Sequence, residues 1–149
     1  MDLWHTPAFA IYALFTTGLA VLLIAIDGLG GTFRARSKTT PNVEDATTVS
    51  KGAKLVESDP DSVARVMRAH RNALANIVPF LILGFVYVAL GAPPLWVTVI
   101  FGVFTFARVV HAFAYIAGKQ PWRTLAFVVG QACIIVLAVQ IVRGAIGLV

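Results

Sequence analysis

Apolar residues in this chain fall into four long runs, and the polar residues between them are unevenly placed. The first run extends from about Pro7 to Asp27 and weakens at Gly28, Gly30 and Gly31. Glycine inside a helix costs about 1 kcal/mol relative to alanine, so the pattern predicts a helix over about 7–31. A polar stretch follows over about 32–58; connections of that length are usually functional or disordered. Ser58-Asp59-Pro60-Asp61 then reads as a helix start. Ser or Asp supplies the cap, Pro suits the first turn, and Asp61 complements the helix dipole. That helix is expected over about 59–90, ending at Gly91-Ala92-Pro93-Pro94. A third is expected over about 95–117. Gly118 to Pro121 form a turn, and a fourth runs over about 121–146.

About 20 apolar residues cross a bilayer as a helix. The runs therefore predict an all-α, integral-membrane four-helix bundle, a single domain over 1–149. So small a bundle has little interior of its own, so subunits are expected to complete one another. In the second segment the strongly apolar part, Ile77 to Ala89, is too short to cross alone. Arg68, His70, Arg71 and Asn72 must then sit at or inside the membrane boundary.

Composition narrows the class. The chain is 58% hydrophobic and 13% charged, whereas soluble domains are about half apolar and a quarter charged. A net charge of +5 does not imply nucleic acid, because no run of five or more bases occurs. Arg34, Arg36, Lys38, Lys51 and Lys54 lie in the first connection, and Lys119 and Arg123 at the third. The second connection carries no base. The positive-inside rule then puts the first and third connections in the cytoplasm and both termini on the other side. Arg143, near a helix end, snorkels to its interface. The N-terminus lacks a basic n-region, and its apolar run is too long for a signal peptide. The lone Cys133 forms no intrachain disulfide and reads as a small buried apolar residue.

The candidate chemistry comes from a charge imbalance. No acidic residue follows Asp61, yet Arg65, Arg68, Arg71, Arg108, Lys119, Arg123 and Arg143 do. An arginine in a bilayer faces a bundle interior, a cavity or a partner charge. Arg68, Arg71, Asn72 and Ala75 share one helical face. Arg108, His111 and Tyr115 share another, with Arg108 roughly 15 Å from the cytoplasmic helix end; Asp27, Asp59 or Asp61 is its possible partner. Arg123, Phe127 and Gln131 share a third face, and Thr124 adjoins Arg123. Guanidinium groups fork onto carboxylates. Together the three faces suit a flexible, multiply charged, peptide-like anion near the cytoplasmic face, and would favour the thiolate of a bound thiol. No second His or Cys stands at metal-ligand spacing near His111, so no metal site is expected.

The run Glu57-Ser58-Asp59-Pro60-Asp61 is followed by Arg65-Val66-Met67-Arg68-Ala69-His70-Arg71-Asn72. Pro79-Phe80-Leu81 and Leu83-Gly84-Phe85-Val86-Tyr87 come next. These runs, with Arg34-Ala35-Arg36, Glu44-Asp45, Arg108, His111, Tyr115, Arg123 and Gln131, resemble the MAPEG family (membrane-associated proteins in eicosanoid and glutathione metabolism). The resemblance covers about residues 30–131. It implies a homotrimer of four-helix subunits that bind glutathione between neighbours near the cytoplasmic face. Arg71, Asn72, His111, Tyr115 and Arg123 would contact glutathione, Arg34 would come from the adjacent subunit, and Arg68 matches a neighbouring polar position. Arg123 would stabilise the thiolate, Thr124 would assist at the thiol, and Asp45 matches an acid assigned to isomerisation. Two positions depart from the family: Ala75 stands where a glutamate holds the glutathione amino group, and Phe127 replaces a tyrosine at the cofactor. The activity implied is a glutathione-dependent transferase, peroxidase or prostaglandin endoperoxide isomerase acting on lipophilic small molecules from the bilayer. The alternative is a non-catalytic lipid-binding scaffold of the same family. A transporter is disfavoured, because segments two to four lack the acids of a proton or sodium relay.

Overall fold

A computed structural model describes residues 2–147; positions 1, 148 and 149 of the single-domain expectation lie outside the described residues. The elements in order are α1 (Pro7–Ser37), β1 (Thr39–Thr40), α2 (Val43–Thr47), β2 (Lys54–Leu55), α3 (Asp61–Ala89), α4 (Pro94–Ile116) and α5 (Trp122–Ile146). Of these, α1, α3, α4 and α5 are long and apolar enough to cross a membrane. They form an all-α four-helix bundle, with α2 and the short strands set in the one long connection.

Two expected boundaries are corrected. The first helix does not stop near residue 31 but continues to Ser37, closed by Lys38 in a left-handed conformation. A glycine's intrinsic cost yields here to tertiary packing. Gly30 is buried against α3, where a Cβ would meet Met67 Sδ at 2.9 Å. Helix α3, the second of the expected long helices, starts at Asp61 and not at 59, with Pro60 as the residue before it and no side-chain cap. Asp59 does not cap because its carboxylate is already engaged: Arg34 Nε and Nη2 donate to its two oxygens at 3.1 and 2.8 Å. This bidentate pair ties the end of α1 to the approach to α3. The intervening connection is also folded back on itself, as β1 and β2 pair in parallel with Thr39 opposite Lys54.

Aromatic packing fills the middle of the bundle. Phe80 of α3 stacks on Phe104 of α4, with centroids 3.6 Å apart and planes within 6°. Phe101 packs against Phe80 at 4.6 Å and against Tyr12 of α1 at 5.8 Å. The Tyr12 hydroxyl donates to the Leu81 carbonyl at 3.3 Å. Gly84 makes this possible, since a Cβ there would run into the Phe101 ring. The outside is apolar as well: Leu14, Ile24, Phe106 and Phe113 are exposed. In water such a surface would be an association patch; on membrane-spanning helices it is where lipid lies.

Candidate active site

Arg123 and Thr124 stand in the first turn of α5, on the tight turn that follows α4. Gly118 has φ +66° and turns the chain where a side chain would be strained. Lys119 then donates its amide to the Ala114 carbonyl at 2.8 Å. The turn thereby places Gln120 beside the start of α5.

Two adjoining cavities open at this end. One, of about 230 Å³, is lined by Asn72, His111, Tyr115, Arg123, Thr124 and Phe127. The other, of about 270 Å³, is lined by Arg65, Arg68, Tyr115, Gly118 and Arg123. They share Tyr115 and Arg123. Three helices thus contribute polar groups to two cavities that meet at Tyr115 and Arg123. Arg123 is held over the Tyr115 ring, its guanidinium carbon 4.8 Å from the centroid. His111 is buried, with its ring 5.5 Å from that of Tyr115 and 6.1 Å from that of Phe127. The Asn72 side-chain oxygen is buried and has no hydrogen-bond partner among the described residues. Buried acceptors are normally paired, so this oxygen is suited to a donor brought by a ligand, such as a peptide N–H.

Behind the cavity lies Arg108, buried and, among the described residues, without a carboxylate partner. The expected partners are otherwise placed: Asp59 binds Arg34, and Asp61 lies 3.4 Å from both Arg65 and Arg68. Arg108 instead donates Nη2 to the Ala126 carbonyl at 3.4 Å, while its Nε and Nη1 have no partner. Its guanidinium lies by the Phe104 and Phe127 rings at 5.5 and 5.9 Å. It fits against α5 because Gly130 has no Cβ to collide with it. Gln131 does not reach the cavity lining; its amide donates to Asn76 across α3 and α5, and Asn76 donates to the Asn72 carbonyl at 2.7 Å.

The structure therefore gathers Arg68, Asn72, His111, Tyr115, Arg123, Thr124 and Phe127 within one subunit. It does not bring the candidates Arg71, Arg34 and Asp45 there. Arg71 and Ala75 are exposed on the outer side of α3. Arg34 is paired with Asp59. Asp45 accepts from the Asn42 amide at 2.9 Å and from the Thr40 hydroxyl at 3.4 Å, within its own connection. That pairing with Arg34 holds the Asp59 carboxyl below its ordinary pKa, mainly through the hydrogen bonds Arg34 donates.

Gln120, Arg65 and Gly118 adjoin the site without being among the site residues expected from the sequence. With the Gln120 amide turned to give both neighbours a complementary partner, its oxygen accepts from Arg123 Nη2 at 2.7 Å and Nε at 3.1 Å. Its nitrogen then donates to Thr124 Oγ1 at 3.0 Å. Gln120 precedes α5, so helical periodicity could not single it out. Arg65 lies 3.4 Å from Asp61, which stands four residues before it. Among the described residues no cluster of His, Cys, Asp and Glu could hold a metal ion.

Comparison with known proteins bears on this arrangement. The MAPEG family model matches residues 10–143. The chain is similar to prostaglandin E synthase of Rattus norvegicus, 41% identical over 136 residues that cover 91% of this chain and 86% of that protein. It is similar to prostaglandin E synthase of Homo sapiens, 37% identical over 137 residues, covering 91% and 89%. Microsomal glutathione S-transferase 1 of Homo sapiens is 34% identical over 139 residues, covering 91% and 88%.

Proposed function

From the premise that this chain belongs to the MAPEG family, we propose that it is an integral-membrane, glutathione-dependent transferase or isomerase acting on lipophilic electrophiles or peroxides. The observation that carries the reading is the pairing of Arg123 and Thr124 in one cavity with Asn72, His111 and Tyr115. The lining offers guanidinium and hydroxyl donors for anionic groups and an unpaired buried acceptor, the Asn72 oxygen, for a peptide N–H. That set fits glutathione, which carries two carboxylates, two peptide links and a thiol. When bound, glutathione supplies the nucleophilic sulfur.

Arg123 stabilises the thiolate electrostatically, and its position in the first turn of α5 adds the favourable end of the helix dipole. The Thr124 hydroxyl hydrogen-bonds to the sulfur. Phe127 closes the apolar side of the cavity and lacks the hydroxyl through which a tyrosine would act. Subunits assemble as a homotrimer, so that Arg34 and the exposed Arg71 reach the site across the interface. Asp45 then acts from the cytoplasmic connection in isomerisation. The site lies near the cytoplasmic face, and both termini lie on the opposite side. A lipophilic partner enters from the bilayer along the subunit boundary.

Ultraviolet difference absorbance of the purified protein, titrated with glutathione, tests this reading. A saturable thiolate band near neutral pH is expected. No band and no calorimetric binding would overturn it and favour the lipid-binding scaffold, for which the absence of a carboxylate at Ala75 would then be the reason.

A further inference from the structure

We propose that Gln120 is a positioning residue that aims the Arg123 guanidinium and orients the Thr124 hydroxyl toward the glutathione sulfur. The inference rests on the thiolate reading above. Gln120 stands three residues before Arg123 and four before Thr124, across the start of α5. Its amide oxygen takes two of the five N–H donors of Arg123, those on Nε and Nη2. The Tyr115 ring covers one face of the same guanidinium. One edge and one face are thereby fixed, and Gln120 leaves the Nη1 donors of this cavity-lining residue unengaged.

The second half of the amide sets the direction of a proton. A threonine hydroxyl has one donor and two acceptor positions. Because the Gln120 nitrogen donates to Thr124 Oγ1, the Thr124 proton has no acceptor on Gln120 and points elsewhere, into the cavity that Thr124 lines. A hydroxyl presenting its proton stabilises a thiolate; one presenting lone pairs does not. An amide can accept from Arg123 and donate to Thr124 at once. A carboxylate at this position would accept from both. It would neutralise Arg123 and draw the Thr124 proton away from the sulfur, and both changes oppose the thiolate.

The experiment follows the thiolate band of bound glutathione against pH in the wild-type protein, Gln120→Glu and Gln120→Ala. Gln120→Glu should raise the pH midpoint of the band by about one unit or more, a tenfold loss of thiolate below the midpoint. Gln120→Ala should shift it in the same direction by less. Calorimetric binding of S-methylglutathione, which has no thiol, reports the pocket alone and should be nearly unchanged in Gln120→Ala, whereas the added carboxylate of Gln120→Glu should weaken it. Midpoints equal to wild type in both variants would overturn the inference. So would loss of S-methylglutathione binding in step with the band in Gln120→Ala, which would make Gln120 merely structural. A wild-type protein with no band would instead overturn the thiolate reading itself, so the two failures are distinguishable.

Discussion

The two halves of the bundle use their interiors in opposite ways. Around Phe80, Phe101, Phe104, Gly84 and Tyr12 the helices are closed by ring against ring, and the half-buried Tyr12 hydroxyl finds the Leu81 carbonyl; outside that ring cluster the Thr16 and Thr105 hydroxyls are buried without a partner among the described residues. Around Asn72, Arg108 and His111 the interior is polar and incompletely paired: the Asn72 oxygen and two Arg108 nitrogens have no partner. Buried polar groups cost more than they return when left unpaired. The aromatic half therefore supplies the stability that lets the other half keep open donors and an open acceptor. The contrast separates what holds the subunit together from what a ligand completes.

The sharpest way to break the contrast is to remove charge from the polar half alone. Arg123 lies on Tyr115 and Gln120 and touches none of the aromatic core. Arg123→Ala should lower glutathione conjugation by roughly 10²–10³-fold, the usual loss on removing one preorganised donor from a developing anion. The thermal unfolding midpoint should stay close to wild type. Conjugation rates on a lipophilic electrophile, read beside the unfolding midpoint, check both parts. Retained turnover would remove Arg123 from the role assigned to it.

The converse change strikes the aromatic half. A methyl group at Gly84 would overlap the Phe101 ring, which is fully buried and cannot swing aside. Overpacking of this kind costs about 1–3 kcal/mol. Gly84→Ala should lower stability by that amount in detergent unfolding measurements. The folded fraction should keep the glutathione thiolate band, because the site residues lie elsewhere on α3, α4 and α5. Equal loss of stability and of the band would mean that the two halves are one unit.

How much of this was legible beforehand follows from the kind of signal each residue leaves. Asn72, His111, Tyr115, Arg123 and Phe127 stand at helical spacings on apolar segments, so their convergence could be read from periodicity. Arg108 could be read as deeply placed, but its surroundings could not. The sequence reading sought a carboxylate, and the guanidinium instead uses a helix carbonyl, two rings and the space left by Gly130. Arg34 and Asp59 are separated by 25 residues of polar connection, where no period links one position to another. The same holds for Gln120, whose role comes from the turn and not from a helix face. The extension of α1 to Ser37 depends on packing of Gly30 against α3, which local propensity does not contain.

The smallest effect is expected at the Arg34–Asp59 pair, which belongs to neither half and anchors the connection between them. Its side chains are partly exposed, at 35% and 18%, so solvent screens the interaction and its contribution is modest. The sign is fixed by the direction of the shift. Asp59 is held below its ordinary pKa by the hydrogen bonds from Arg34. Its stabilising contribution is therefore complete above about pH 3.9, the ordinary aspartate value. It is lost as pH falls through the lower value of the folded protein. The amides of Lys54 and Val56, which donate to Lys38 and Thr40 at 2.8 and 3.0 Å, report whether the connection stays folded. Their hydrogen-exchange protection factors should hold from neutral pH to about pH 4 and fall below it. In Asp59→Asn the protection should be lower throughout and the acid step absent. A step that persists in Asp59→Asn would place the anchor in β1, β2 and the Asp45 contacts, and would leave Arg34 free of the restraint that the wild-type pair imposes.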